Sequence, residues 1–459
     1  MDVLTAQDAT RWWLSRRTPA DLFMLYCFDD TGCLHDTVAD ADLRAAVCAR
    51  AARIPELRLR VRDRRFAYPA WEDRRPDDRQ VTVHTLPEPR WTDMREAVAE
   101  LLSTHLDAER SIWRLHIFRG IRDAPGGTGP ALVTVLQLSH AAADGRRAAT
   151  IARRLFTALA EGDVRQDDRP AEPNTSRLRF RAETMAAEAI SLLRFPIQMV
   201  RTIVRGLAAA RAETALRRLT ESGEIAAAGP NFAPTGLNRE SVPTRHAVRM
   251  IVGRRPRVPG FTVTVVTLTA ISVALGRYLT AHGEPVRQLG AQVSIALPEA
   301  HSRNNYRDIS LDLLTTEPDL RVRAERLATA LSERRARALH PLQDVRARVA
   351  ESLPASLLRR DLAAIALDEV PDRISGHTVV SSVDRGPADL SVAGGRVRFT
   401  AGFPAIGTVM HLTHAVHGLG DSLTLSIHAD PQVMPDVDSY EQLLREALAE
   451  VVSVLTDNS

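Results

Sequence analysis

One histidine in this chain stands where an imidazole could do acid–base chemistry. His140 follows Ala131–Leu138 (ALVTVLQL), which reads as a buried strand, and precedes Arg146–Glu161 (RRAATIARRLFTALAE), which reads as a helix. The string between them runs Ser139, His140, three alanines, Asp144, Gly145: an H-x-x-x-D-G pattern in a strand–loop–helix context. A strand end fixes the backbone and a short loop lets the ring project. An unperturbed pKa of about 6.5 suits imidazole to taking a proton from an alcohol near neutral pH. The alanines leave room for substrate beside it. Asp144 has the position and chemistry of an N-cap, and Gly145 permits a tight turn. Taken alone, the same string also fits a core histidine followed by a capping aspartate.

Other chemistries are excluded by composition. All 60 basic side chains of the 459-residue chain are Arg. A Schiff-base lysine, a Ser–Lys dyad and a phosphate-binding P-loop are therefore impossible. The net charge is only +3, so nucleic acid is not an expected partner. Cys27, Cys33 and Cys48 are odd in number and have no metal-like partners, and the N-terminal text MDVLTAQDATRWWLSRR lacks an apolar signal core. The expectation is a reducing, cytoplasmic setting. His411, His414 and His417 are spaced H-x-x-H-x-x-H, but on a strand their parities differ, so they cannot share one face and no metal site is expected. Trp12 and Trp13 read as anchors or core.

The sequence around His140 alternates between strand and helix. Leu22–Phe28 and Trp113–Phe118 read as strands, and 42–52 and 92–106 as helices. Residues 163–177 read as a charged, proline-containing linker. In 178–219, Leu193, Ile197, Val200, Val204 and Leu207 fall on one helical stripe, and nine Arg face three Glu between Arg177 and Arg218. Pro196 is expected to start a second helix or kink the first. Such a basic amphipathic segment could lie on an anionic membrane or bridge the body as a packed helix pair. From His246 a second α/β region begins, with strands at 246–252, 292–297, 377–383, 397–399 and 422–429 and helices at 263–282, 320–337 and 440–455. The expected organisation is 1–170, a connector at 171–245, and 246–459.

The motif resembles the H-H-x-x-x-D-G of the chloramphenicol-acetyltransferase-like superfamily, and the flanking text is similar to its bacterial wax ester synthase/diacylglycerol acyltransferase branch. The residues that carry the resemblance are Tyr68–Asp73 (YPAWED), His84, Leu106–Gly120 (LDAERSIWRLHIFRG), Val380–Pro387 (VSSVDRGP), Ala393–Val397, Ala415–Asp430 and Met434–Asp436. They run in the family's order through nearly the whole chain. The sequence departs from the family pattern where Ser139 replaces its first His and Thr264-Val265 its Asn-Asp pair. It departs again where Ser382 stands for an Asn and Asp384 for a Pro; Asn304-Asn305 keeps an Asn that the family has after its P-V-S segment.

The resemblance implies an α/β fold of two chloramphenicol-acetyltransferase-like subdomains, mixed sheets flanked by helices, with a cleft between them and a helical connector joining them. It implies an acyltransferase with acyl-CoA as co-substrate and no cofactor, esterifying diacylglycerol or a fatty alcohol. His140 would be general base and Asp144 the second residue of the catalytic motif, orienting the loop. Ser139, Gly145, Ser381, Ser382 and Asn304 would border substrate, one of the two serines on the cleft strand donating to the oxyanion. Segment 178–219 would touch a membrane or lipid-inclusion surface. Two other readings stay open: a condensation enzyme using carrier-protein thioesters, and a non-catalytic lipid-binding relative.

Overall fold

The structure is a computed structural model; it describes residues 2–30, 39–157, 176–285, 287–298, 302–367 and 369–457. Cys33 and most of the 163–177 segment lie outside them. The helices are α1 (Ala6–Ser15), α2 (Asp40–Ala51), α3 (Trp91–Leu102), α4 (Gly145–Phe156), α5 (Ser176–Glu221), α6 (Val263–Ala281), α7 (Leu320–Ala338), α8 (Pro341–Ser352), α9 (Ala355–Ala363) and α10 (Val437–Thr456). The strands are β1 (Leu22–Asp29), β2 (Leu59–Arg62), β3 (Ala70–Asp73), β4 (Val81–His84), β5 (Trp113–Ile121), β6 (Ala131–Leu138), β7 (Ala247–Arg254), β8 (Gly290–Ala296), β9 (Tyr306–Asp312), β10 (Thr378–Asp384), β11 (Ser391–Val392), β12 (Gly395–Phe403), β13 (Leu412–Leu419) and β14 (Ser422–Ala429).

They build two six-stranded mixed sheets flanked by helices. The first runs β11-β12-β1-β6-β5-β4 and the second β7-β14-β13-β10-β8-β9, with β2 and β3 paired separately. Strand β6 is central and buried along its whole length, which is why it reads as an unbroken apolar run rather than an alternating one. Its Leu132, Leu136 and Leu138 face α1, α2 and α4, while Val133 and Val135 pack in a separate cluster with α3 and β7. Helix α6 is buried nearly all round, so it shows no single apolar stripe. It is the one described helix long and apolar enough to cross a membrane, and most of it lies inside the protein.

The first sheet is completed from far along the chain. Strand β12 pairs antiparallel with β1, Phe23 opposite Phe403 and Tyr26 opposite Thr400. The segment 246–459 therefore contributes to both sheets. A Cβ at Gly395 would lie 1.7 Å from the carbonyl oxygen of Asp29, so this crossing demands a residue without a side chain.

Arg385 ties the halves together at the same level. It donates to the Tyr26 hydroxyl (3.1 Å) and lies 3.0 Å from His417 Nε2. His414 and His417 leave β13 on opposite faces. His414 contacts Thr378 Oγ1 and the Tyr440 hydroxyl, both at 2.8 Å, and His411 pairs with Asp430 at 3.1 Å. The three thus serve three separate sets of partners.

Burial of so many imidazoles has a pH consequence. Burial pushes His116 and His140 down to about 4, His414 and His428 to about 3, and His417 well below its ordinary value. Between pH 6.5 and 4 the unfolded chain binds protons at these rings that the folded chain refuses, so stability falls as pH falls. Asp21 works the other way: burial raises its carboxyl to about 6, and it gains a proton while folded. It is one group against these five and against His84, His246 and His377, which burial also pushes down. The thermal midpoint is expected to be clearly lower at pH 4.5 than at pH 7.5 by scanning calorimetry; an equal midpoint would contradict this balance.

Candidate active site

His140 lies two residues past the end of β6, at the junction of the two halves. Its loop is held on both sides. The Ser139 N–H donates to the Ile112 carbonyl (2.8 Å), and the Ser139 carbonyl accepts from the Ala142 N–H (2.9 Å). Asp144 caps α4, its Oδ1 accepting from the Arg147 N–H at 2.9 Å. Its Oδ2 accepts from the Asn305 N–H at 2.7 Å, and its own N–H donates to the Arg303 carbonyl at 3.1 Å. Asp144 therefore joins the loop to the 302–305 segment of the second half and does not reach the imidazole of His140.

The 302–305 segment carries the partner of the ring. Asn304 Oδ1 lies 2.8 Å from His140 Nδ1. The amide orientation is fixed at its other end: Nδ2 donates to Asp8 Oδ1 (3.0 Å) and to the His140 carbonyl (2.9 Å). An oxygen must therefore face Nδ1, so Nδ1 carries the proton and the lone pair sits on Nε2. Asp8 is itself fully occupied, accepting also from Ser302 Oγ (2.8 Å) and the Arg303 N–H (3.0 Å). It is only 1% exposed, and α1 brings it here, with Thr5 as N-cap. The result is a directed Asp8–Asn304–His140 chain that sets the tautomer across nearly 300 residues of sequence.

On the open side of the ring stands Tyr306, the first residue of β9. Its hydroxyl is 3.4 Å from His140 Nε2. The Arg11 guanidinium stacks over the Tyr306 ring, 5.0 Å from its centroid. Burial first, and the Arg11 charge second, push the His140 imidazole down to about 4, against the pull of Asn304 and Asp144. Burial also raises the Tyr306 hydroxyl to about 12, so it stays a donor.

The other residues expected at the site are dispersed. Ser139 is buried behind the loop. A Cβ on Gly145 would come within 3.3 Å of Val383 Cγ2, so β10 passes close against the start of α4. Ser381, half-buried, and Ser382, exposed, lie on that strand. Ser382 Oγ accepts from Thr264 Oγ1 at 3.0 Å. The two positions where the sequence departs from the Asn-containing family pattern thus contact each other. Val265 is buried in the second core. Neither serine is hydrogen-bonded to His140. Asp8, Arg11 and Tyr306 carry no local sequence signal for a role at this site. The Thr5-x-x-Asp8 capping pattern could have flagged α1, and Tyr306 lies two residues beyond Asn304.

Residues 4–262 match the family model for the wax ester synthase/diacylglycerol acyltransferase catalytic domain, and residues 309–451 match the model for the C-terminal domain of the same family. The chain belongs to this family. It is an acyltransferase of the wax ester synthase/diacylglycerol acyltransferase type. Among solved structures, the acyltransferase is similar to the wax ester synthase/diacylglycerol acyltransferase from Marinobacter aquaeolei VT8, with 16% identity, 98% of each chain covered and a TM-score of 0.61. It is also similar to the starter condensation domain of rhizomide synthetase in complex with C8-CoA and Leu-SNAC, with 14% identity, 99% of this chain and 94% of that one covered, and a TM-score of 0.55. These likenesses place the acyltransferase fold in the two-subdomain architecture shared by both groups.

Proposed function

We propose that the protein transfers an acyl group from acyl-CoA to a lipid hydroxyl, forming triacylglycerol from diacylglycerol or a wax ester from a fatty alcohol. The observation that carries the reading is the hydrogen bonding of His140 at the junction of the halves: Asn304 Oδ1 holds Nδ1–H, which leaves the Nε2 lone pair faced only by the distant Tyr306 hydroxyl. Nε2 takes the proton from the acceptor hydroxyl as its oxygen attacks the thioester carbon. The tetrahedral intermediate collapses, the C–S bond breaks, and the CoA thiolate leaves with the proton from His140. No acyl-enzyme is needed. Asp144 holds the loop to the 302–305 segment during this cycle. A CoA thioester is supported by the family match and by the C8-CoA complex of the related condensation fold.

Donor choice tests the reading against carrier-dependent condensation. Purified protein is given labelled palmitoyl-CoA, or the same acyl group on a carrier protein, with hexadecanol or dioleoylglycerol. Labelled ester from the CoA donor supports the proposal. Turnover only with the carrier-loaded donor would assign the protein to condensation chemistry.

The proposal includes a lipid surface as the place of work, and α5 supports it. The helix continues through Pro196, so no second helix starts there, and it rests on α8 through Thr202 and Arg205. Its outer face leaves Leu193 78%, Ile197 62%, Val200 61% and Val204 60% exposed. Each such side chain gains roughly 1.5–3 kcal/mol on full removal from water. Residues 189–212 contain four Arg and no acidic residue; Arg205 is committed to α8, and for the other three an anionic surface adds roughly 1 kcal/mol per Arg near it. Liposomes with anionic headgroups are expected to co-sediment the protein at low salt and release it as salt rises. The triple variant Ile197→Glu, Val200→Glu, Val204→Glu is expected to stay in the supernatant. Equal binding to neutral liposomes, or unchanged binding of the variant, would contradict this role.

A further inference from the structure

A cation beside a general base is an electrostatic obstacle, because the base must itself become a cation during the reaction. Arg11 is such a cation. It weakens the protonated form of His140 and lies over Tyr306, whose hydroxyl faces Nε2. Among the described residues no carboxylate forms an ion pair with it. Two acids of the site direct their oxygens to other donors, Asp8 to Ser302, Arg303 N–H and Asn304, and Asp144 to the N–H groups of Arg147 and Asn305. A cation held here disfavours the imidazolium unless negative charge develops beside Tyr306 and Nε2.

We propose that Arg11 and Tyr306 form the site that holds the oxyanion of the tetrahedral intermediate, and this rests on the acyltransferase reading above. At 3.4 Å the contact of the Tyr306 hydroxyl with Nε2 is longer than an ordinary O–H···N bond, so an acceptor hydroxyl displaces it at little cost. The acceptor oxygen then gives its proton to Nε2 and bonds to the thioester carbon, and the carbonyl electron pair moves onto oxygen. The freed Tyr306 hydroxyl donates to that oxygen, and the Arg11 charge balances it. Once the oxyanion has formed, Arg11 no longer opposes the imidazolium, because one new negative charge accompanies the one new positive charge. Collapse restores the carbonyl and expels CoA thiolate, which takes the proton from His140.

The alternative anion for Arg11 is a phosphate of CoA, and steady-state kinetics separate the two. Arg11→Gln is expected to lower kcat about 10²-fold, the scale on which one electrostatic contact to an oxyanion contributes. The KM for palmitoyl-CoA should remain within about threefold, because ground-state binding is not what the pair supplies. The acidic limb of the pH–rate profile is expected to move upward, since the charge that suppresses His140 is gone. A purely structural role for Arg11 would not lower kcat and raise that limb together. Tyr306→Phe keeps the ring and its stacking, and is expected to lose at least tenfold in kcat with the limb unmoved; it serves if Arg11→Gln folds poorly. A raised KM with kcat preserved would make Arg11 a phosphate contact and overturn the inference. So would wild-type rates in both variants, leaving the acyltransferase reading intact. No ester from the wild-type protein with any donor would overturn both.

Discussion

Replacing His140 by Ala is expected to reduce ester formation by about 10²–10⁴-fold, the usual contribution of a positioned general base. The ring has one close hydrogen-bond partner, Asn304, and is partly open, so the thermal midpoint should stay within roughly 4 °C of the wild type. The pH profile makes the prediction sharper. A base pushed down to about 4 is neutral throughout pH 5–7, so the wild-type rate should be flat there and fall as pH drops through about 4. A limb near 6.5 would mean that His140 is not the titrating base, or that substrate relieves its burial.

Asp8→Asn is the second large effect, although Asp8 touches no substrate in this scheme. The carboxylate accepts from three donors and, through Asn304, decides which imidazole nitrogen carries the proton. An amide at position 8 offers one oxygen and one NH2 group, so Asn304 can turn over and donate to Nδ1, opposed by the His140 carbonyl that accepts from its Nδ2. The proton then moves to Nε2 and the base is blocked. Locking an imidazole in the wrong tautomer costs up to about 10⁴-fold in a related arrangement; partial inversion here is expected to cost about 10²-fold in kcat with KM for palmitoyl-CoA unchanged. Nitrogen-15 NMR of His140 reads the tautomer directly. A wild-type tautomer together with wild-type kcat would contradict the positioning role.

How much of this was legible in the sequence depends on the range of the interaction. The strand β6, the turn and the start of α4 are local, and the pattern H-x-x-x-D-G states them: strand text, small residues, an N-cap, a glycine. Asp144 does cap α4, at 2.9 Å from the Arg147 N–H. Its second bond, to Asn305, joins residues 161 positions apart and has no local signal. The same holds for Asp8 and Arg11. The text around them is a short amphipathic helix whose meaning appears only when α1 docks against the 302–305 segment. Asn304 was expected beside substrate and is found holding the ring of His140, because its amide is buried between Asp8 and the His140 loop. Strand β12 was read as part of the second region, since β-pairing with β1 is a tertiary choice that composition does not express. Helix α5 continues through Pro196, which gives up one backbone hydrogen bond where the helix surface is open to solvent.

The claim at the centre of this account is direct transfer from acyl-CoA to a lipid hydroxyl, with His140 as the base. Single-turnover quench with labelled palmitoyl-CoA tests it most directly, with and without hexadecanol or dioleoylglycerol, reading labelled ester and intact protein mass in the same samples. Ester is expected only when both substrates are present, with no labelled protein at any time and almost no ester from His140→Ala. A labelled acyl-protein intermediate, or equal ester from His140→Ala, would contradict it.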